Sequence, residues 1–217
     1  MCFSAAASFG AGAVLCTAGM LTIRKIQKPS QLAFAAIPLF FGIQQLSEGL
    51  VWLSLTHPEY AGWETLTTHI FSFFSHVLWP VWVAFAVLLF EEDKKKKSWL
   101  FPIFILGLVL SISEAYFIAT QHIYARVIGH HIEYYHGFPT LFISVSEVVY
   151  GITTILPCFI SSYKKMRLFA MVLIVSVIVA DIFYHKWLIS VWCFFAALLS
   201  MIVFYIVKMA SANNAKK

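Results

Sequence analysis

At 217 residues, 61% apolar and only 12% charged, with a mean hydropathy of +0.84, the chain lies outside the range of soluble domains. Its net charge of +5 comes mostly from short Lys and Arg clusters between apolar runs, which is the pattern of membrane orientation and excludes a nucleic-acid-binding role. Four cysteines, Cys2, Cys16, Cys158 and Cys193, lack C-x-x-C spacing, so zinc-knuckle, thioredoxin-like and disulfide frameworks are not expected.

A bilayer core roughly 30 Å thick takes about 20 apolar residues per helix. Seven stretches approach that length: Phe3 to Ile23, Gln31 to Leu55, Leu66 to Phe90, Trp99 to Ala119, Pro139 to Ser162, Leu168 to Tyr184 and Trp187 to Val207. The expected fold is therefore all-α, one seven-helix transmembrane bundle over residues 1–209 with a short cytoplasmic tail at 210–217. The first stretch has no basic residues before it and reads as a retained helix rather than a cleaved signal.

Arg24, Lys25 and Lys28, Lys94 to Lys97, Lys164, Lys165 and Arg167, and Lys208, Lys216 and Lys217 follow the odd-numbered helices, whereas the alternate connections hold only Arg126 and Lys186. The positive-inside rule then places the N-terminus outside and the C-terminus inside. Of the outer connections, Thr120 to Phe138 is the longer, and its Gly129-His130-His131-Ile132-Glu133-Tyr134-Tyr135-His136 reads as a wet aromatic loop that either covers a pocket or binds a metal. Small residues at Ser4, Ser8, Gly12, Cys16 and Gly19 form a stripe that lets the first helix approach a neighbour closely.

Polar residues inside the spans carry the functional argument, because an ionisable side chain in hydrocarbon is costly unless it is paired or faces water. Gln44, Gln45 and Glu48 share a face with Phe41 and Trp52. His69, Ser72, His76 and Trp79 share another, and Pro80 follows where a kink frees a carbonyl. Gly107, Ser111 and Glu114 align on the fourth helix, Thr140, Ser144, Glu147, Tyr150 and Thr154 on the fifth, Asp181 with Tyr184 and His185 on the sixth, and Ser190, Cys193, Ala197 and Ser200 on the seventh. At about 1.5 Å per residue, Glu48, His76 and Glu147 lie roughly 10 to 15 Å below the outer surface, with Glu114 and Asp181 shallower. Ser-Glu pairs recur at Ser47-Glu48, Ser113-Glu114 and Ser146-Glu147, where the hydroxyl is placed to serve the carboxyl.

These residues define an expected ligand set of Gln44, Gln45, Glu48, Ser72, His76, Glu114, Glu147 and Asp181. Within it Glu48, His76 and Glu147 are a candidate metal centre for Zn, Fe or Mn, since mixed carboxylate and imidazole donors suit those ions. Binding or transport of a metal ion or small polar solute is the first reading. A membrane-embedded hydrolase or redox enzyme, with Glu48 or Glu147 as base to a metal-activated water, is the second. A structural protein whose polar network only clamps helices is the third.

Met1-Cys2-Phe3-Ser4-Ala5, Phe41-Gly42-Ile43-Gln44-Gln45-Leu46-Ser47-Glu48-Gly49, Ser75-His76 with Trp79-Pro80, His131-Ile132-Glu133-Tyr134 and Ser190-Val191-Trp192-Cys193-Phe194-Phe195-Ala196-Ala197 resemble a family of small bacterial multi-pass membrane proteins with no assigned activity. The resemblance runs from the first helix to the last and implies a bacterial cytoplasmic membrane. Retinal proteins share the orientation but need a lysine in the middle of the seventh helix, where this chain has none. Ser72-x-x-x-His76 and Asp181 are similar to elements of the alkaline ceramidase-like hydrolases, but the seventh helix lacks their histidine pair.

Overall fold

A computed structural model describes residues 4–184, 195 and 199–210. Helix α1, Ala5–Ile23, starts where the Ser4 hydroxyl accepts the Ala7 N–H at 3.2 Å. A short turn, Pro29–Gln31, leads into α2, Leu32–Ala35, and α3, Ile37–Thr56, with Pro38 at the break between them. Trp82 donates its indole N–H to the Ala33 carbonyl beside that break at 3.0 Å.

The next stretch is one helical run in three parts. After the turn Pro58–Trp63, helix α4 covers Glu64–Ser72, a π-helical segment covers Phe73–Leu78, and α5 covers Trp79–Phe90. Proline supplies the reason for the irregularity. Pro80 has no N–H to give to the preceding turn, so a carbonyl there needs another donor. Tyr150 supplies one, its hydroxyl reaching the Ser75 carbonyl at 3.1 Å.

Helix α6, Lys94–Thr120, begins earlier than its apolar sequence. Asp93 accepts the N–H groups of Lys95 and Lys96 at 2.8 and 3.1 Å, so the lysines form the first turn. Helices α7, Thr140–Ile160, and α8, Lys164–Tyr184, follow, and a last apolar helix, α9, covers Leu199–Ala210.

Among the described residues, five helical stretches are long and apolar enough to cross a membrane: Ala5–Ile23, Pro29–Thr56, Pro58–Phe90, Lys94–Thr120 and Thr140–Ile160. Helix α8 covers the sixth expected stretch, and α9 overlaps only the end of the seventh, of which residues 187–194 and 196–198 lie outside the described residues. Cys2, His185, Ser190, Cys193 and Ala197 lie outside the described residues, as does the Asp181 side chain.

The all-α expectation needs one correction. Residues 124–135 form an antiparallel hairpin of β1, Tyr124–Ile128, and β2, His131–Tyr135, with Ile128 opposite His131. Its two-residue turn has Gly129 at φ +62°, which suits a turn that needs glycine at its first central position.

Close helix approach is built on glycine. A Cβ on Gly19 would lie 2.5 Å from the Leu39 backbone nitrogen, and one on Gly42 would lie 2.6 Å from that of Cys16. The stripe read on α1 is thus its seam with α3, and Ser8, Gly12 and Gly19 are buried there.

Packing divides the molecule into layers. The larger apolar cluster, with Phe34, Ile37, Phe90, Leu100 and Phe169 at its centre, lies toward the basic connections. There Lys28 pairs with Glu92 at 2.6 Å. The buried Glu91 carboxylate accepts the Asp93 N–H (3.0 Å), the Ser162 N–H (2.6 Å) and the Ser161 hydroxyl (3.0 Å), tying two turns together. Burial pushes that carboxyl up, but these donors outweigh it and leave it below the usual carboxylate range. A smaller cluster of Val51, Trp52, Phe71, Ala125 and Ile132 seats the hairpin at the opposite end. Buried polar residues lie between the two.

Candidate functional site beneath the hairpin

The polar layer begins on α3. Glu48 is fully buried, and Gln45 donates to its Oε2 at 2.9 Å. Gln44, also buried, accepts the Trp79 indole N–H at 2.7 Å, while Trp79 stacks on Phe41 with 4.0 Å between ring centres. Gln44, Gln45 and Glu48 lie on one side of α3, where Gln44 fixes the helix to α5 and Gln45 pairs with Glu48 within it.

The second part of the layer is built by the π-helical segment and α6. His76 is 19% exposed and Glu114 only 2%, with His76 Nδ1 3.9 Å from Glu114 Oε2. Ser111 is buried one turn before Glu114. Gly107 lets α6 approach the start of α5 closely, because a Cβ there would collide with the Pro80 carbonyl oxygen. Among the described residues, Glu114 Oε2, His76 Nε2 and Ser111 Oγ are buried polar atoms with no hydrogen-bond partner. Such atoms are uncommon in a folded interior and ask for an explanation.

The hairpin closes this region. Tyr134 stacks on Phe71 with 4.4 Å between ring centres and 12° between planes, and Ile132 is buried beside them. The chain then turns inward and places His136 edge-on to His76, 4.3 Å between ring centres, with its Nε2 sharing a 3.0 Å hydrogen bond with Ser72 Oγ. Phe138 packs on both imidazoles. Burial, and then the field of His69, push the His136 imidazole down to about 4, so it is neutral at ordinary pH.

His136 belongs to the site but not to the set read from the sequence. The signal was present: a Gly129-His130 turn between two runs rich in β-branched and aromatic residues marks a hairpin, and a hairpin directs the residues after it back onto the bundle.

Three sequence expectations are corrected. Glu147 does not join the cluster, for it is exposed among the described residues while Ser146, Thr153, Thr154 and Pro157 form the buried face of α7. The helix is rotated by about one residue, roughly 100°, from the face on which Ser144 and Glu147 lie. No three His, Cys, Asp or Glu side chains gather as a metal-ligand set among the described residues, so Glu48, His76 and Glu147 are not drawn together into a metal centre.

The Ser-Glu pairs also work differently. Ser47, Ser113 and Ser146 donate to the Gln44, Val109 and Ile143 carbonyls at 2.6, 2.9 and 2.9 Å. Adjacent helical side chains diverge, and a serine hydroxyl reaches its own preceding turn more readily than its neighbour's carboxylate.

Ser72 and His76, the pair similar to the hydrolase element, engage His136 and Glu114 instead. No curated protein and no solved structure matches the chain. A family model matches residues 1–217, and the chain belongs to that family, DUF6629, a family of unknown function.

Proposed function

We propose that the protein is a multi-pass protein of the cell membrane that binds a small polar solute, neutral or cationic, in the half of the bundle under the hairpin. The observation that carries this reading is the group of unpartnered buried atoms, Glu114 Oε2, His76 Nε2 and Ser111 Oγ, on two adjoining elements. Together they offer an acidic acceptor, an imidazole nitrogen and a hydroxyl, which suits a ligand rich in N–H or O–H donors. Among the described residues the metal version lacks a third convergent ligand.

The membrane placement that accompanies this reading has seven spans, the N-terminus and hairpin outside, and the C-terminus inside. Support comes from the basic connections, which adjoin one another through Lys28–Glu92 and Glu91–Ser162 at the end away from the hairpin. Gln44 then braces α3 against α5 through Trp79, and Gln45 donates to Glu48 while its own Oε1 stays buried without a hydrogen-bond partner among the described residues.

A thermal-shift screen of the protein in lipid nanodiscs tests the assignment, using methylammonium, small polyols, neutral amino acids and zinc chloride. The expected result is stabilisation by a donor-rich solute that is lost in Glu114→Gln with the fold intact. No stabilisation, or stabilisation undiminished in Glu114→Gln, overturns it.

A further inference from the structure

We infer that His136 and His76 relay protons between the aqueous phase at the hairpin end and the carboxyl of Glu114, with Ser72 holding the outer imidazole in place. The inference uses the same cluster but does not require that a solute bind there.

The geometry is a short series of acid–base groups running inward from the hairpin. His136 follows β2 and is only partly buried, so it meets the outer phase. Its ring lies edge-on to His76 without a hydrogen bond between the two imidazoles, and His76 Nδ1 lies 3.9 Å from Glu114 Oε2, so each step is closed by a side-chain rotation or one water. Each imidazole takes a proton at one nitrogen and releases one from the other. The proton gained by Glu114 is the one His76 gives up, and no charge accumulates along the path.

Two features separate this arrangement from a packing network. Glu114 is 2% exposed and its Oε2 has no hydrogen-bond partner among the described residues, so that oxygen is not committed to holding helices together. The π-helical segment sets His76 where a regular helix would not, and such segments often mark functional sites.

Other titratable groups around the path are His69 on α4, which acts on His136, Tyr134 on β2, Tyr150 on α7, bonded to the Ser75 carbonyl, and Glu48 on α3, bonded to Gln45. Helix α5 brings no titratable side chain, and beyond it lies the larger apolar cluster. Among the described residues the path therefore ends at Glu114 and serves proton exchange with one side.

Infrared spectroscopy after a rapid pH jump tests the relay in protein held in nanodiscs without added solute. The Glu114 signal is identified as the carboxyl band lost in Glu114→Gln. It is expected to follow the jump in the wild type and to respond about tenfold more slowly or worse in His76→Phe and His136→Phe. In His136→Gly, imidazole in the buffer should restore the rate. An unchanged rate in both phenylalanine variants, no rescue by imidazole, or no pH-linked band from Glu114 overturns the relay. The solute screen gives its answer independently of all three.

Discussion

At the scale of single residues, the molecule places its buried charges in two unlike surroundings. Glu91 is supplied with donors from two turns, whereas Glu114 has one oxygen left without a partner among the described residues. Glu91→Ala strands the Ser161 and Ser162 donors and is expected to destabilise the protein by about 2 to 4 kcal/mol, read by thermal unfolding in detergent. Because the folded state holds the Glu91 carboxyl below its ordinary value, its contribution is complete above the unfolded pKa and is lost as pH falls through the folded one.

His136 gives a dependence of the same sign, over a higher pH window. Its folded state favours the neutral imidazole, so the unfolded or undocked state binds more protons as pH falls. Docking of the hairpin is expected to weaken progressively from about pH 6.5, the ordinary histidine value, down to about 4. Hydrogen exchange of residues 124–135 across that range measures it, and His136→Phe should remove most of the pH dependence.

Glycine and proline govern at the scale of elements, and here much was legible beforehand. The small-residue stripe of α1 and the polar faces of α3 and α6 were readable because helical spacing alone aligns those residues. Which helix α1 meets was not, since a stripe specifies close approach but no partner. Gly19→Ala is expected to cost about 1 to 3 kcal/mol, because its Cβ would meet Leu39 backbone that cannot swing aside. Gly10→Ala, with nothing within 4 Å of the added Cβ, serves as the control and should be neutral or mildly stabilising.

Pro80 signalled an irregular helix, but the form of the irregularity depended on Tyr150, on a different helix, offering its hydroxyl to the Ser75 carbonyl. Tyr150→Phe should cost about 1 kcal/mol in thermal unfolding. On α7 the sequence misled. Ser144 and Glu147 form as regular a polar face as Ser111 and Glu114 do, and only the packing against neighbouring helices shows which face turns inward.

At the scale of the whole molecule, the basic turns gather at one end and the hairpin at the other, with the apolar core nearer the first and the polar layer nearer the second. By the positive-inside rule, cysteines introduced at Gly129 and at Ser98 are expected to differ in intact cells. The first should react with a membrane-impermeant thiol reagent and the second should not, and the reverse pattern would invert the orientation.

The sequence by itself determined the class of protein, the helical stretches, and which polar residues share a face, because hydropathy and a period of 3.6 are local properties. Only the tertiary structure decided which of those faces meet. It left Glu147 outside the cluster, set Glu114 beside His76, and brought in His136 from a hairpin that apolar periodicity does not reveal. Those outcomes depend on helix rotation and on contacts between distant segments, where a rotation by one residue or one proline changes which side chain enters the site.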